Sequence, residues 1–335
     1  MKIKTPAKTV FFYLRLCFSC VLVIYLIHLI DFERFKFAVA KLQIKFVYPA
    51  FFLVLIASFA AAARWSLVLS RFAIQQRVKD SWRYYLVSGF YGTVLPGIIG
   101  EDVIRLGLSL KAHGRSKALI ATSILFERTC GIVVILMMAA AAALYVVPVL
   151  MQGERFLSNL IVVAAICALS VFFLFFLILK VSPSSWFKNE HAIGKLRQKA
   201  ISLLGRLRGL SFGAVSVFLL LSMLAHLCDI TGTFFLSRSL HIDQSYTIFL
   251  LIIPLVYVLT MLPISVGGIG VREGVLTFFL VKVGVPASDA VLLGFIIYLN
   301  RVAVGLIGGV VQFAGNRSLS LEKSDTKRVP QIEQA

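Results

Sequence analysis

TVLPGIIGEDVIR, residues 93–105, sets a proline, two glycines, two carboxylates and an arginine inside a chain that is otherwise mostly oily. A second stretch, TMLPISVGGIGVR at 260–272, lines up with it. Thr93/Thr260, Leu95/Leu262, Pro96/Pro263, Gly100/Gly267 and Arg105/Arg272 coincide at an offset of 167 positions, half the chain. Further on, FERTCG at 126–131 loosely echoes LNRVAVG at 299–305, each placing an arginine (Arg128, Arg301) in an apolar run. Paired, Gly/Pro-interrupted segments in corresponding halves are the best sequence pointer to a transporter's binding site.

The rest of the chain agrees with a membrane setting. Of 335 residues 59% are hydrophobic, 28 are Phe and only 15% are charged; mean hydropathy is +0.93. Soluble domains carry about a quarter charged residues. The net charge of +19 sits between oily segments, where basic residues set topology and meet anionic headgroups. No aromatic-basic module for nucleic acid is present. The five cysteines, Cys17, Cys20, Cys130, Cys167 and Cys228, all lie in apolar segments, and the odd count without a loop pair excludes a disulfide framework. The first apolar run follows Lys2, Lys4 and Lys8 like a signal peptide, but its length and its lack of a small-residue cleavage site make it a retained helix.

A span needs about 20 apolar residues. Six segments qualify, near 9–30, 46–70, 117–148, 157–180, 211–238 and 287–313. MMAAAAALY at 137–145 offers a small-residue face for close packing. The segments 82–112 and 246–284 are too broken for ordinary spans: each has two short apolar arms around a Pro/Gly centre. Lys and Arg cluster in the N-terminal arm, at 71–83, at 111–117, at 180–208 and in the tail, which reads as the cytoplasmic side. The loops near 149–156 and 239–246 are poor in both and read as external. On this assignment 82–112 enters and leaves from one face and 246–284 from the other, giving two opposed re-entrant hairpins. The basic stretch 31–45 then falls outside, where it reads as an amphipathic interfacial helix.

The physical reason for the breaks follows. Pro96 and Gly97 end a helix at mid-membrane depth. The backbone groups they free cannot face lipid, where each would cost several kcal/mol, so they line protein or a water-filled cavity. The adjacent charges favour the cavity, and short helices pointing their N-termini inward favour anions.

LPGIIGEDVIR, the buried FER and above all LPISVGGIGVREG resemble the lysylphosphatidylglycerol synthase transmembrane-region family, the flippase-like domain of MprF-type proteins. The resemblance covers roughly 10–315, with Glu101 standing where the second motif has Gly268. It implies a bacterial or archaeal inner-membrane protein that moves lipid between leaflets. Aminoacylated phosphatidylglycerols, other phospholipids, hopanoids and polyprenyl-linked lipids fall in its range. Nothing after 315 is long enough for a soluble aminoacyl-transferring domain, so the chain is expected to be the stand-alone flippase half without synthase activity.

Ionisable residues inside the membrane cost about 2.5–3.5 kcal/mol each at a helix centre on translocon scales, which makes each one a candidate. Arg105 and Arg272 follow the two turns and could each grip a lipid phosphate with the guanidinium fork; the competing reading pairs them with Asp102 and Glu273. Asp102 and Arg105 are three residues apart, on one helix face. Glu127 and Arg128 are adjacent, point in different directions, and need partners elsewhere, with Arg272 or Arg301 expected for Glu127 as a structural or gating pair. Arg128 and Arg301 are the further candidates for substrate phosphate, and Glu101 joins the gating or charge-pair set. His226 and Asp229, one turn apart, could relay protons or simply clip helices together, the more economical reading. Arg64 is expected to snorkel to the interface. Among the turn residues, Pro96, Gly97, Gly100, Pro263, Gly267, Gly268 and Gly270, the glycines permit positive φ and could form an anion-binding nest.

No metal-ligand spacing, nucleophile elbow or Walker A motif occurs, so no catalytic residue, metal or cofactor is expected. The expectation is an all-α polytopic membrane protein: about six transmembrane helices plus two opposed re-entrant hairpins in an inverted repeat. It forms one domain over 1–315, with half-repeats at 46–180 and 211–313 and a polar cytoplasmic tail at 316–335. Membrane lipids are its expected partners, and a separate lipid-modifying enzyme is a candidate. Both termini face the cytoplasm. Its expected function is translocation of a phospholipid or other anionic or aminoacylated lipid. The alternatives are a proton-coupled secondary transporter of a small solute or ion and a non-transporting scaffold for a lipid-modifying enzyme.

Overall fold

The computed structural model describes residues 32–94, 98–113, 117–150, 212–261 and 270–326. The expected spans 9–30 and 157–180 and the turn residues Pro96, Gly97, Pro263, Gly267 and Gly268 lie outside the described residues. Those described are helical, joined by short turns, with no strand among them. In chain order the helices are α1 (Phe32–Ala40), α2 (Ile44–Arg71), α3 (Val78–Val94), α4 (Ile98–His113) and α5 (Lys117–Leu150), then α6 (Phe212–Ser239), α7 (Tyr246–Met261), α8 (Val271–Lys282) and α9 (Ala287–Thr326).

Among the described residues four stretches are long and apolar enough to cross a membrane: Ile44–Arg71, Lys117–Ala143, Gly213–Ser239 and Ala287–Ala314. They coincide with four of the six expected spans. Each interrupted segment is a pair of short helices flanking its Pro/Gly centre: α3 and α4 around 95–97, α7 and α8 around 262–269. α1 occupies most of the basic stretch expected to form an interfacial helix. α9 continues to Thr326, where the sequence suggested a tail from 316. The added residues NRSLSLEKSDT are mostly polar, but no proline interrupts them before Pro330.

Small residues set the packing. α2 lies along α6, with Ala50, Ala57, Ala60 and Ala62 buried on α2. On α6, a Cβ added at Gly232 would come within 3.4 Å of the Ala50 carbonyl oxygen. Close backbone approach of this kind is how helices associate in lipid, where apolar burial alone gives no preference. α9 packs on α3 through Gly308 and Gly309. A Cβ at Gly308 would run into the Leu86 carbonyl oxygen, and one at Gly309 would sit 3.0 Å from the Phe90 ring. α7 packs on α5. Each interrupted segment thus leans on the long helix that follows the other one.

Helix ends repeat as well. α2 stops at Ala73, which has φ 57°. There Ala73 N–H donates to the Ser70 carbonyl and Ile74 N–H to the Leu69 carbonyl, a Schellman terminator. α6 stops at His241, with φ 60°. There the donors are His241 to Ser-flanking Arg238 and Ile242 to Ser237. The second set is the first displaced by 168 positions, donor for donor and acceptor for acceptor.

Candidate functional site

The charged residues that the sequence singles out converge on one cavity of ≈ 340 Å³ inside the bundle. α2 supplies Arg64, α4 supplies Glu101, Asp102 and Arg105, and α5 supplies Glu127 and Arg128. From the second half come His226 and Asp229 on α6, Arg272 on α8 and Arg301 on α9. Glu273 stands behind Arg272 and does not line the cavity. Gly100 lies on α4, one residue before Glu101.

One wall is a continuous chain of ion pairs. Glu127, 1% exposed, pairs with the Arg64 guanidinium through one oxygen and with Arg105 at 3.3 Å through the other. Arg105 also donates to Asp102 at 3.0 Å, the pair that the three-residue spacing suggested. Asp102 uses its second oxygen on Arg128, and Arg128 lies 4.0 Å from Glu101. Three guanidinium groups therefore meet three carboxylates. Aromatic faces and hydroxyls complete their surroundings. The Arg105 guanidinium lies 4.8 Å from the Trp65 ring and 4.5 Å from the Tyr85 ring. Trp65 N–H donates to Ser123, and Arg64 donates to Ser222 Oγ at 3.1 Å.

Two expectations change here. Arg64 is 6% exposed and faces inward on the Glu127 carboxylate, so it does not snorkel to the interface. A buried carboxylate and an opposing glycine hold it: a Cβ at Gly131 would approach Arg64 Nη1 to 3.2 Å. Glu127 accordingly meets Arg64 and Arg105, not Arg272 or Arg301. Sequence periodicity places Arg64 on a helix without telling which neighbour that face meets.

The opposite wall is less evenly matched. Arg272 is 7% exposed, and its Nη1 has no hydrogen-bond partner among the described residues. Its ion-pair partner Glu273 stands at 4.0 Å, and the other oxygen of Glu273 accepts the Gly270 N–H at 2.7 Å. That reach-back caps α8, which starts after Gly270 at φ 84°, a backbone that glycine adopts freely. The Arg272 guanidinium lies 5.8 Å from the Tyr298 ring. Arg301 donates to the Tyr257 hydroxyl, with its guanidinium 5.0 Å from that ring. Tyr257 and Asp229 line the same cavity. His226 donates from Nε2 to the Gly131 carbonyl at 2.9 Å, which clips α6 to α5.

Arg105 and Arg272 occupy matching sequence positions but different helical ones. Arg105 is two turns into α4, with Asp102 one turn before it. Arg272 is in the first turn of α8, and the residue three before it is Ile269, which carries no charge. The two are therefore electrostatically unequal.

Tyr85, Tyr257, Tyr298 and Trp65 belong to the site and were not singled out from sequence. Tyrosines and tryptophans in apolar runs ordinarily mark the membrane interface, so nothing in their spacing set these apart. Among the described residues no group of three or more His, Cys, Asp or Glu could hold a metal ion.

Residues 12–309 match the family model described as the lysylphosphatidylglycerol synthase TM region. The chain belongs to that family. The match begins within the first expected span and ends within α9, so it embraces the whole cavity of this lysylphosphatidylglycerol synthase TM-region protein. A search of curated proteins finds no match to the chain. With family and helices together, the chain is a multi-pass membrane protein of all-helical architecture with a membrane-lipid connection.

Proposed function

We propose that the chain is a non-enzymatic lipid translocator of flippase type, moving a phospholipid or other anionic or aminoacylated lipid between leaflets. The observation that carries this reading is the charged cavity itself. A space of ≈ 340 Å³ lined by five arginines and four acidic residues lies inside a bundle of apolar helices. Ionisable groups in such a place are costly and mark substrate pathways. The headgroup would enter this chamber while the acyl tails stay in the bilayer.

The architecture we infer for the mechanism is an inverted repeat with two re-entrant hairpins opening to opposite faces. Three observations support it: a helix pair around each Pro/Gly centre, the Schellman terminator recurring 168 positions on, and the crosswise packing of α3 on α9 and α7 on α5. Alternating access would come from relative motion of these bodies around the cavity. Membrane lipids are then the partners, and the cytoplasmic or inner membrane, with both termini inside, is the expected location.

Reconstitution tests the proposal. Liposomes containing the purified chain should equilibrate headgroup-labelled anionic or aminoacylated lipids across the bilayer faster than protein-free liposomes. Rates equal to the protein-free control across a panel of headgroups would overturn it. Uptake of a soluble solute driven by a pH gradient would instead favour proton-coupled transport. That reading needs His226 and Asp229 free to exchange protons, whereas His226 is engaged with the Gly131 carbonyl.

A further inference from the structure

The two walls of the cavity differ in how fully their charges are met, and this difference assigns them different work. On the α4–α5 wall each arginine has a carboxylate: Arg64 with Glu127, Arg105 with Asp102 and Glu127, Arg128 with Asp102. An anion arriving there would have to displace a carboxylate, and at Arg64 and Arg105 that group is the buried Glu127, whose loss of a partner is strongly unfavourable. On the α8–α9 wall Arg272 has a buried Nη1 with no hydrogen-bond partner among the described residues, facing a carboxylate 4.0 Å away whose other oxygen is held by backbone. Beside it Arg301 has a phenol oxygen as its hydrogen-bond acceptor. The Nε atoms of Arg64, Arg105 and Arg128 are also without a hydrogen-bond partner among the described residues, but those arginines already hold a carboxylate. An anion at the α8–α9 wall would instead satisfy Arg272 Nη1 and meet guanidinium groups with no carboxylate in hydrogen-bond reach.

We propose that the phosphate of the ligand is bound at the Arg272–Arg301 wall. Tyr257 is a positioning residue that holds Arg301 toward it, and the Arg64–Glu127–Arg105–Asp102–Arg128 chain opposite is a structural lock. Tyr257 suits this role because its hydroxyl accepts from Arg301, with Asp229 lining the same cavity. It thereby orients the guanidinium without neutralising it, as a direct Asp229 pair would. The choice of a phosphate-bearing headgroup rests on the translocation reading above; the location of the anion site rests on the arginines alone.

The test measures binding by titration calorimetry on the full chain in nanodiscs, with inorganic phosphate and dihexanoyl phosphatidylglycerol, a soluble phosphodiester, as probes. Arg272→Gln should weaken binding about tenfold or more, the loss expected for a charge-assisted hydrogen-bonding group. Tyr257→Phe should weaken it several-fold in the native background but add little in an Arg301→Gln background, a non-additivity that a merely structural role would not give. If Arg272→Gln fails to fold, Arg272→Lys, which keeps the charge but not the fork, is read instead and should also bind more weakly. Loss for both probes supports a site for the phosphate group itself. Loss for the lipid alone, with inorganic phosphate not binding, supports a site that requires the esterified headgroup. Wild-type affinity in the Arg272 variant overturns the proposal. Flipping assays separate the two readings. Binding that weakens in Arg272→Gln, with a wild-type chain that moves no lipid, keeps the anion site and removes translocation. Unchanged binding in a chain that does move lipid does the reverse.

Discussion

Glu127 ties three helices together at the site. Its two oxygens serve Arg64 of α2 and Arg105 of α4 from a position on α5. Removing one partner of a buried pair leaves the other charge uncompensated and costs about 3–5 kcal/mol. Glu127→Gln, which keeps the shape and removes the charge, should therefore lower stability by about that amount, read as earlier unfolding in a detergent titration. An unchanged unfolding midpoint would show that the two guanidinium groups find compensation elsewhere. At this scale the sequence was partly legible. The Asp102–Arg105 pair follows from its spacing, because residues three apart share a helix face. The Arg64–Glu127 pair joins positions 63 apart, and no local period encodes such a contact. Nor does composition reveal that Tyr257 would turn inward to Arg301.

At the scale of the helix, glycines are decisive where backbones or charges come close. Gly308 lets α9 rest on the Leu86 carbonyl of α3, and Gly92 makes room for the Glu101 side chain across the interruption. Gly89, on the same helix α3, has nothing within 4 Å of where a Cβ would be. Gly308→Ala should consequently destabilise by about 1–3 kcal/mol or more through overpacking. Gly89→Ala should be neutral or gain up to about 1 kcal/mol from helix propensity. Thermal unfolding of the two variants side by side checks the contrast, and equal melting points would remove the close α3–α9 approach from the account. Four spans and both interrupted segments could be read from the sequence because hydropathy and Pro/Gly positions are local signals. α9 running on to Thr326 could not, since polarity alone does not end a helix.

For the molecule as a whole, the claim with the widest reach is that the cavity holds water. Thr260 and Ser58 line it. In a background with the five native cysteines replaced, a cysteine at either position should react with a membrane-impermeant maleimide in intact vesicles or inverted ones. Protection from both sides would mean a dry, packed interior, and a hydrophilic headgroup would have no route through it. Hydropathy and loop charge gave the membrane class and the candidate charges. That those charges gather at one point, and divide into a matched and an unmatched wall, depends on three-dimensional packing that no single stretch specifies.

The crosswise seating of α3 on α9 and of α7 on α5 has a mechanical consequence. Under the proposed translocation α3 would travel with α9 and α7 with α5, so the moving units would not be the two sequence halves. A cross-link stapling α3 to α9 would then leave turnover intact.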